Sequence, residues 1–295
     1  MEINMNPENL KNQQSALART DNSACPLLIA DGIHVLNQKV YKAICSQDRN
    51  ALARLLQKQV EAGAQALAVN LGPGREMGQK APWVIDILRR MTDLPLFVSA
   101  NILDHPEVLR AHGQYVAINA VTANHEDLHK ALMAAEQSGC SVVVLLVQSG
   151  KMTATINDKI TLALEVLDKA AAIGFPLSRL YLDPVLTYRP DPAAWHISRG
   201  MPDVGSAAET ISLIKQLDGQ VKTIVALGNS TGVVTMEKKS GCHSRILTLL
   251  TAAGVDAVLL NCLDKAVMTT AAGINEARHY SWANDGSLSC FSSAA

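Results

Sequence analysis

The stretch EAGAQALAVN, residues 61–70, contains the joint that decides the fold. A helix-like segment ends at Gly63, and the apolar run 66–70 follows almost at once. Glycine readily adopts the left-handed backbone with which many helices end, and a short apolar run is typical of a buried strand. The same order returns in QSGCSVVV, residues 137–144, and in AAGVDAV, residues 252–258. The joint therefore predicts a chain of alternating helices and strands.

Eight such apolar runs follow one another from residue 26 onward, each succeeded by a segment with helical periodicity. The predicted strands are 27–30, 66–70, 96–99, 115–119, 141–147, 180–182, 223–227 and 257–260. The predicted helices are 49–62, 81–91, 106–111, 125–138, 158–173, 205–217, 244–253 and 265–278. Because no boundary or change in composition interrupts the series, it favours a single (β/α)8 TIM barrel over an open doubly wound sheet. The barrel is predicted to span 26–280, between a flexible arm, 1–25, and a flexible tail, 281–295.

The composition indicates an ordinary soluble protein. The 295 residues are 48% hydrophobic and carry a formal net charge of -1, so a large core is expected and a nucleic-acid or membrane-binding basic face is not. Residues 1–24 lack the pattern of a signal peptide, and no apolar segment is long enough to span a bilayer. The six cysteines form no C-x-x-C pair, which argues against a zinc site or disulfide framework and for a cytoplasmic location.

Polar side chains follow the predicted strands, at the ends that meet in the mouth of a barrel. They are mostly amides and hydroxyls, with few carboxylates: Asp31, His34, Asn70, Ser99, Asn101, Asn119, Gln148, Asp183, Asn229, Ser230, Asn261 and Asp264. Such a rim suits a flat polar heterocycle, because its ring nitrogens need both donors and acceptors. Asparagine and aspartate after a strand also form Asx-turns and helix caps, and that alternative stays open for each of them.

The segment GNSTG, residues 228–232, matches the G-x-S-x-G pattern of serine hydrolases. A nucleophile elbow requires a helix to begin almost immediately after the serine. Here the loop is predicted to continue through residues 233–239, and an Asp and a His downstream of Ser230 are too common a pattern to decide the matter. A serine hydrolase using Ser230 is therefore the least favoured function.

Five segments resemble the pterin-binding TIM barrels. They are EAGAQALAVNLGPG (61–74), YVAINAVT (115–122), LYLDPVLTY (180–188), VALGNSTG (225–232) and AAGVDAVLLNCLDKAVMTTAA (252–272). Within these barrels the chain is most similar to the methyltetrahydrofolate:corrinoid/iron-sulfur protein methyltransferases, relatives of dihydropteroate synthase, over residues 26–279. The resemblance implies a cytoplasmic homodimer that moves a methyl group between N5 of a tetrahydrofolate and the cobalt of a separate corrinoid protein, in anaerobic one-carbon or demethylation metabolism. It implies no metal bound by the chain itself.

The resemblance also implies roles for individual residues. Asn229 matches the asparagine near N5 and, with Asp183, would be catalytic. Asn119 and Asp183 match residues that grip the pterin edge, where a carboxylate can accept two N–H bonds. The remaining pocket lining would come from Asn70, Ser99, Asn101 and Gly228. These polar groups suit the chemistry, because N5 leaves readily only when it is protonated or hydrogen-bonded.

Two aspartates of the family pattern are replaced in this chain. Ala68 stands at the first position of the D-x-N signature, and Ser99 stands where an aspartate follows the third strand. Losing a charged hydrogen bond to the ligand would cost about 1.5–3 kcal/mol for each position, with Ser99, Asn101 and His34 as neutral substitutes. An alternative therefore remains open: a catalytically degenerate or substrate-shifted barrel that acts as a partner in a corrinoid methyltransferase system.

Overall fold

Eight parallel strands close into a barrel in the computed structural model, which describes residues 25–123, 126–147, 155–186, 188–189, 201–230 and 236–285. The strands are β1 (Leu27–His34), β2 (Ala66–Asn70), β3 (Leu96–Val98), β4 (Val116–Thr122), β5 (Ser141–Leu145), β6 (Leu180–Asp183), β7 (Lys222–Ala226) and β8 (Ala257–Leu260). Around the barrel the order is β1-β8-β7-β6-β5-β4-β3-β2. The predicted fold class and all eight predicted strands are confirmed. A separate antiparallel pair, Tyr188–Arg189 with Met201–Pro202, was not predicted.

Helices surround the barrel between successive strands. They are α1 (Gln38–Cys45), α2 (Arg49–Glu61), α3 (Arg75–Gly78), α4 (Ala81–Met91), α5 (Pro106–His112), α6 (Glu126–Ser138), α7 (Ile156–Ile173), α8 (Val204–Leu217), α9 (Met236–Ala252) and α10 (Lys265–Asp285). The glycines of the three joints quoted above, Gly63, Gly139 and Gly254, all have positive φ, as expected, and so does Gly174 at the end of α7. No helix within the described ranges is long and apolar enough to cross a membrane.

The start of α9 differs from the prediction. The predicted helix 244–253 begins at Met236 instead, so the prediction that the loop after Ser230 continues to residue 239 is wrong. The polar run before residue 244, which includes Gly241, looks like a loop in the sequence. Packing of Ile246, Leu247 and Leu250 into the core nevertheless fixes the helix. Tertiary burial outweighs the low helix propensity of one glycine. The two short helices α1 and α3 were also not predicted.

Two hydrophobic layers build the core. The outer layer joins the strands to the helices. The inner layer fills the barrel as a plug of aliphatic and aromatic side chains: Leu27, Ile29, Ala66, Ala68, Phe97, Ala117, Val143, Tyr181, Ile224 and Ala257. Phe97 and Tyr181 are the large members of the plug and meet edge to face, with ring centroids 5.6 Å apart. Residues two apart on a strand share a face. A polar residue two positions after a plug residue, towards the C-terminal end of the same strand, therefore lies in the barrel mouth.

Two glycines with open space around them allow a matched stability test. Gly241 lies inside α9 and Gly174 ends α7 with φ 75°, and a methyl group at either position would meet no atom within 4 Å. Gly241→Ala is expected to stabilise the protein by about 0.5–1 kcal/mol, because the unfolded chain loses freedom. Gly174→Ala is expected to destabilise it by about 1–2 kcal/mol, because alanine tolerates the left-handed region poorly. Urea unfolding of both variants checks this; shifts of the same sign would contradict it.

Candidate active site in the barrel mouth

The plug residues determine which polar side chains face inward. Tyr181 on β6 belongs to the plug, so Asp183, two positions further, lies on the same face at the mouth. The same alternation applies to β2, β3 and β4 and gives four inward polar positions: Asn70, Ser99, Asn119 and Asp183. The structure thus brings these sequence-predicted site residues to one end of the barrel.

Asp183 is the buried carboxyl group of the mouth, with 5% of its surface exposed. The backbone N–H of Val185 donates to its Oδ1 at 2.7 Å, the only hydrogen bond to this carboxylate from the described part of the chain. Burial raises the pKa of Asp183 from 3.8 to about 7, and the Val185 hydrogen bond and the charge of Lys159 oppose that rise. At neutral pH the group therefore lies near its midpoint and can both accept N–H donors and exchange a proton.

Lys159 supports the loop that follows β6. Its side chain is 1% exposed, and its Nζ donates to the carbonyl oxygen of Val185 at 3.4 Å. Burial lowers the pKa of Lys159, while the charges of Asp203 and Asp183 raise it. Val185 itself has φ 52°, a left-handed conformation that is strained for a β-branched residue. Contacts on both sides of Val185 hold this conformation, which fixes Asp183 beneath the mouth.

The side chains of Asn70, Ser99 and Asn101 all form hydrogen bonds with the loop that follows β2. Asn70 Oδ1 accepts from the N–H of Gly72 at 2.8 Å, which is an Asx-turn. Ser99 Oγ accepts from the N–H of Leu71 at 3.1 Å and donates to Asn101 Oδ1 at 2.8 Å, and Asn101 Nδ2 donates to the carbonyl oxygen of Gly72 at 3.2 Å. In the structure these three side chains therefore make the loop contacts that the capping alternative predicts. Asn101 also helps to line a neighbouring concavity of about 580 Å³.

The seventh strand end is described in part. Gly228, Asn229 and Ser230 lie in a 3-10 turn, Leu227–Ser230, directly after β7. Gly228 is exposed, while the side chains of Asn229 and Ser230 lie outside the described residues, as does Gln148. Asn119 is half-buried at the inward face of β4, and its peptide bond to Ala120 is cis.

Asp31 and His34 form a second polar group, on β1. The position that a Cβ on Gly228 would occupy lies 3.7 Å from Asp31 Oδ2. Burial raises the pKa of Asp31, while the charges of His34 and Lys239 lower it. Within the described chain, the buried Nδ1 of His34 has no hydrogen-bond partner. Burial and the nearby Asp31 charge raise the pKa of the Cys262 thiol to about 12, so this cysteine is protonated at neutral pH.

No family model matches the sequence. A dihydropteroate synthase from Xanthomonas albilineans, solved with 7,8-dihydropteroate, matches with a TM-score of 0.62 and 16% identity over 87% of this chain and 95% of that chain. The fold is that of the dihydropteroate synthases. The enzyme from Yersinia pestis, solved with a pterine-sulfa conjugate, has a TM-score of 0.59 and 15% identity over 88% and 96%. The TM-scores establish the fold, while identities of 15–16% leave the reaction to be argued from the mouth.

Lys159 is the residue of the mouth that sequence reasoning missed. It lies near the start of an amphipathic helix, where a lysine normally faces water, and nothing in the sequence distinguishes it from its neighbours. Its burial follows from the path of the loop after β6, which brings the Val185 carbonyl over the helix end. Asp31 and His34 are visible in the sequence as strand-end residues, but the proximity of Asp31 to Gly228 depends on the closure of the barrel.

Proposed function

We propose that the protein is a methyltransferase that moves a methyl group between N5 of a tetrahydrofolate and the cobalt of a corrinoid carried by a separate protein. The observation that carries the proposal is the buried Asp183, whose carboxylate faces the mouth with a single described hydrogen bond. Proteins with the same fold were solved with 7,8-dihydropteroate and with a pterine-sulfa conjugate, which supports a pterin ligand here. A corrinoid partner, a homodimeric state and a cytoplasmic location belong to the same proposal.

Three groups of the mouth have a task in this reaction. Ionised Asp183 accepts two N–H bonds from the amidine-like edge of the pterin, which fixes the ring in its plane. Asn119, on the inward face of β4, donates and accepts at the same edge. Asn229 follows Gly228 at the seventh strand end and hydrogen-bonds near N5. These contacts hold the methyl-bearing nitrogen towards the open mouth, where the partner protein must present its cobalt.

Pterin binding is expected to weaken as the pH falls below 7. The ligand needs ionised Asp183, and the pKa of this carboxyl group is about 7 in the free protein. Below that value each pH unit should reduce the affinity for methyltetrahydrofolate about tenfold, while above it the affinity should level off. Isothermal titration calorimetry between pH 6 and 8.5 measures this. The absence of heat at millimolar ligand would reject the proposed function, and a flat profile would reject the role of Asp183.

The role of Asn229 is tested by separating binding from transfer. Asn229→Ala removes a group that acts at N5 while leaving the pterin edge held by Asp183 and Asn119. Transfer is therefore expected to slow more than binding weakens. Calorimetry gives the dissociation constant, and single-turnover transfer to free cob(I)alamin gives the rate. Equal losses in both would contradict a role at N5.

A degenerate barrel that only docks a corrinoid protein is the second candidate. Ala68 favours it, because this residue lies in the plug and is 5% exposed, so it gives the mouth no polar group. Ser99 favours it too, since its hydroxyl is engaged with Leu71 and Asn101. Stable association with a corrinoid protein but no methyl transfer would favour this function. Labelling of Ser230 by a fluorophosphonate probe would instead support the least favoured alternative, a serine hydrolase.

A further inference from the structure

Asp31 is a carboxyl group of the mouth that neither the packing of the barrel nor the pterin contacts above employ. It lies near the C-terminal end of β1, where the pairing with β2 shifts register between Ala30 and Ile33. At Gly32 the backbone passes so close to α2 that a Cβ would lie 2.5 Å from Gln59 Nε2. Because Gln59 is buried, the backbone beside Asp31 is held in place from the outside of the barrel.

The Asp31 side chain extends into the mouth. β1 and β7 are not neighbours, since β8 lies between them. Asp31 Oδ2 nevertheless lies 3.7 Å from the position that a Cβ on Gly228 would occupy, and Gly228 is the second residue after the end of β7. The carboxyl group therefore passes over the end of β8. A flat ligand that rests on the exposed backbone of Gly228 would meet Asp31 at its edge.

Charged and titratable groups surround this carboxyl from three elements. His34 on β1 and Lys239 on α9 favour its ionised form, and the Cys262 thiol follows β8 close enough for its pKa to rise with the Asp31 charge. Burial acts against ionisation and is the largest influence, so the pKa of Asp31 is raised overall. A protonated Asp31 is thus populated at higher pH than an ordinary aspartic acid, as a proton donor requires.

We propose that Asp31 is the general acid that donates a proton to the pterin nitrogen carrying the transferred methyl group, an inference that rests on the proposed function. The proton moves from the Asp31 carboxyl to N5. The N5–CH3 bond then breaks with its electron pair left on N5, and Co(I) supplies both electrons of the new cobalt–carbon bond and becomes methyl-Co(III). Asp31 is left as a carboxylate, which His34 and Lys239 stabilise, and it regains a proton from water.

The experiment compares Asp31→Asn with the wild-type full-length chain, using methyltetrahydrofolate and free cob(I)alamin. The amide keeps the size and hydrogen-bonding capacity of the carboxyl group but cannot transfer a proton. The single-turnover rate is expected to fall by about a hundredfold, in the range of general acid catalysis. The dissociation constant for methyltetrahydrofolate should change little. Asp31→Glu should recover part of the rate, and Asp86→Asn, on the outer helix α4, serves as the matched control.

The pH profile separates proton donation from a structural role. The wild-type rate at saturating pterin should fall as the pH rises and Asp31 ionises, whereas the slow Asp31→Asn rate should lack that limb. An unchanged rate in Asp31→Asn, or a descending limb that persists in it, would overturn the proposal and leave the methyltransferase function standing. A wild-type protein that binds no methyltetrahydrofolate would overturn both.

Discussion

Asp183→Asn is expected to weaken pterin binding at least a hundredfold and, at pH 8, to make the protein more resistant to unfolding. Binding weakens because a neutral amide cannot accept two charged hydrogen bonds, which contribute about 1.5–3 kcal/mol each. Stability rises because the variant no longer holds an ionised carboxylate in a buried site. The Val185 N–H keeps an acceptor, since the asparagine carbonyl replaces Oδ1. A residue retained at the expense of stability is typical of a binding site.

The stability gain should depend on pH in a defined direction. The pKa of Asp183 is about 7 in the folded protein and 3.8 as its ordinary value. Below pH 3.8 both states are protonated and the residue brings no penalty. Between pH 3.8 and 7 only the unfolded state ionises, so wild-type stability falls as the pH rises. Above pH 7 the penalty reaches its full value of about 4 kcal/mol, an upper limit because Lys159 loses an attractive charge in the variant.

Urea unfolding of wild type and Asp183→Asn at pH 5, 6, 7 and 8 measures this penalty. The difference in the free energy of unfolding should grow with pH and level off above 7. Asp86→Asn, on the exposed face of α4, should show no such growth, because Asp86 is paired only at the surface with Arg90. A variant that is less stable than wild type at every pH would show that the carboxylate stabilises the loop after β6 more than its burial costs.

The strands were predictable because each one shows its burial in a local pattern. An apolar run with a polar residue after it, and in several cases a glycine before it, is visible within ten residues, and closure of the barrel needs only the count of eight. Helix boundaries were less predictable. The start of α9 at Met236 depends on which side chains reach the core two turns later, and the polar run before Gly241 carries no sign of that.

The mouth was predictable in position and less so in detail. Alternation along the strands places Asn119 and Asp183 inward, and the resemblance assigns them a ligand. Whether an asparagine turns to the ligand or to its own loop depends on backbone N–H groups nearby, as the bond from Gly72 to Asn70 illustrates. The burial of Lys159 arises from contacts between segments far apart in the chain, so no local pattern marks it.

Lys222→Met is expected to stabilise the protein by about 1–2 kcal/mol at pH 7. Lys222 lies at the N-terminal end of β7, two residues before the plug residue Ile224, so it points into the base of the barrel and is 3% exposed. Its Nζ lies 5.3 Å from the centroid of the Tyr181 ring and has no hydrogen-bond partner within the described chain. Within the described chain, the favourable interactions of this amine are therefore the contact with the Tyr181 ring and the longer-range attraction of the Asp256 charge.

Opposing effects decide the size of this gain. Burial lowers the pKa of Lys222 from 10.5 to about 8, a difference that corresponds to about 3 kcal/mol at pH 7. The contact with Tyr181 offsets about 0.5–2 kcal/mol of that penalty, although a methionine sulfur can make its own contact with the ring. Asp256 loses one attractive charge but keeps the ion pair with Lys215 and two hydrogen bonds from Thr223. The penalty therefore outweighs the contacts.

The pH dependence of this gain has the opposite sign to that of Asp183. A lysine whose pKa is lowered in the folded protein destabilises it fully below pH 8, and the penalty disappears as the pH rises from 8 to 10.5. The advantage of Lys222→Met should therefore shrink above pH 8, and thermal unfolding at pH 7 and 9.5 measures it. A loss of stability at pH 7 would show that the cation over Tyr181 contributes more than burial removes. Because Lys222 lies at the opposite end of the barrel from Asp183, the variant should bind methyltetrahydrofolate as the wild type does.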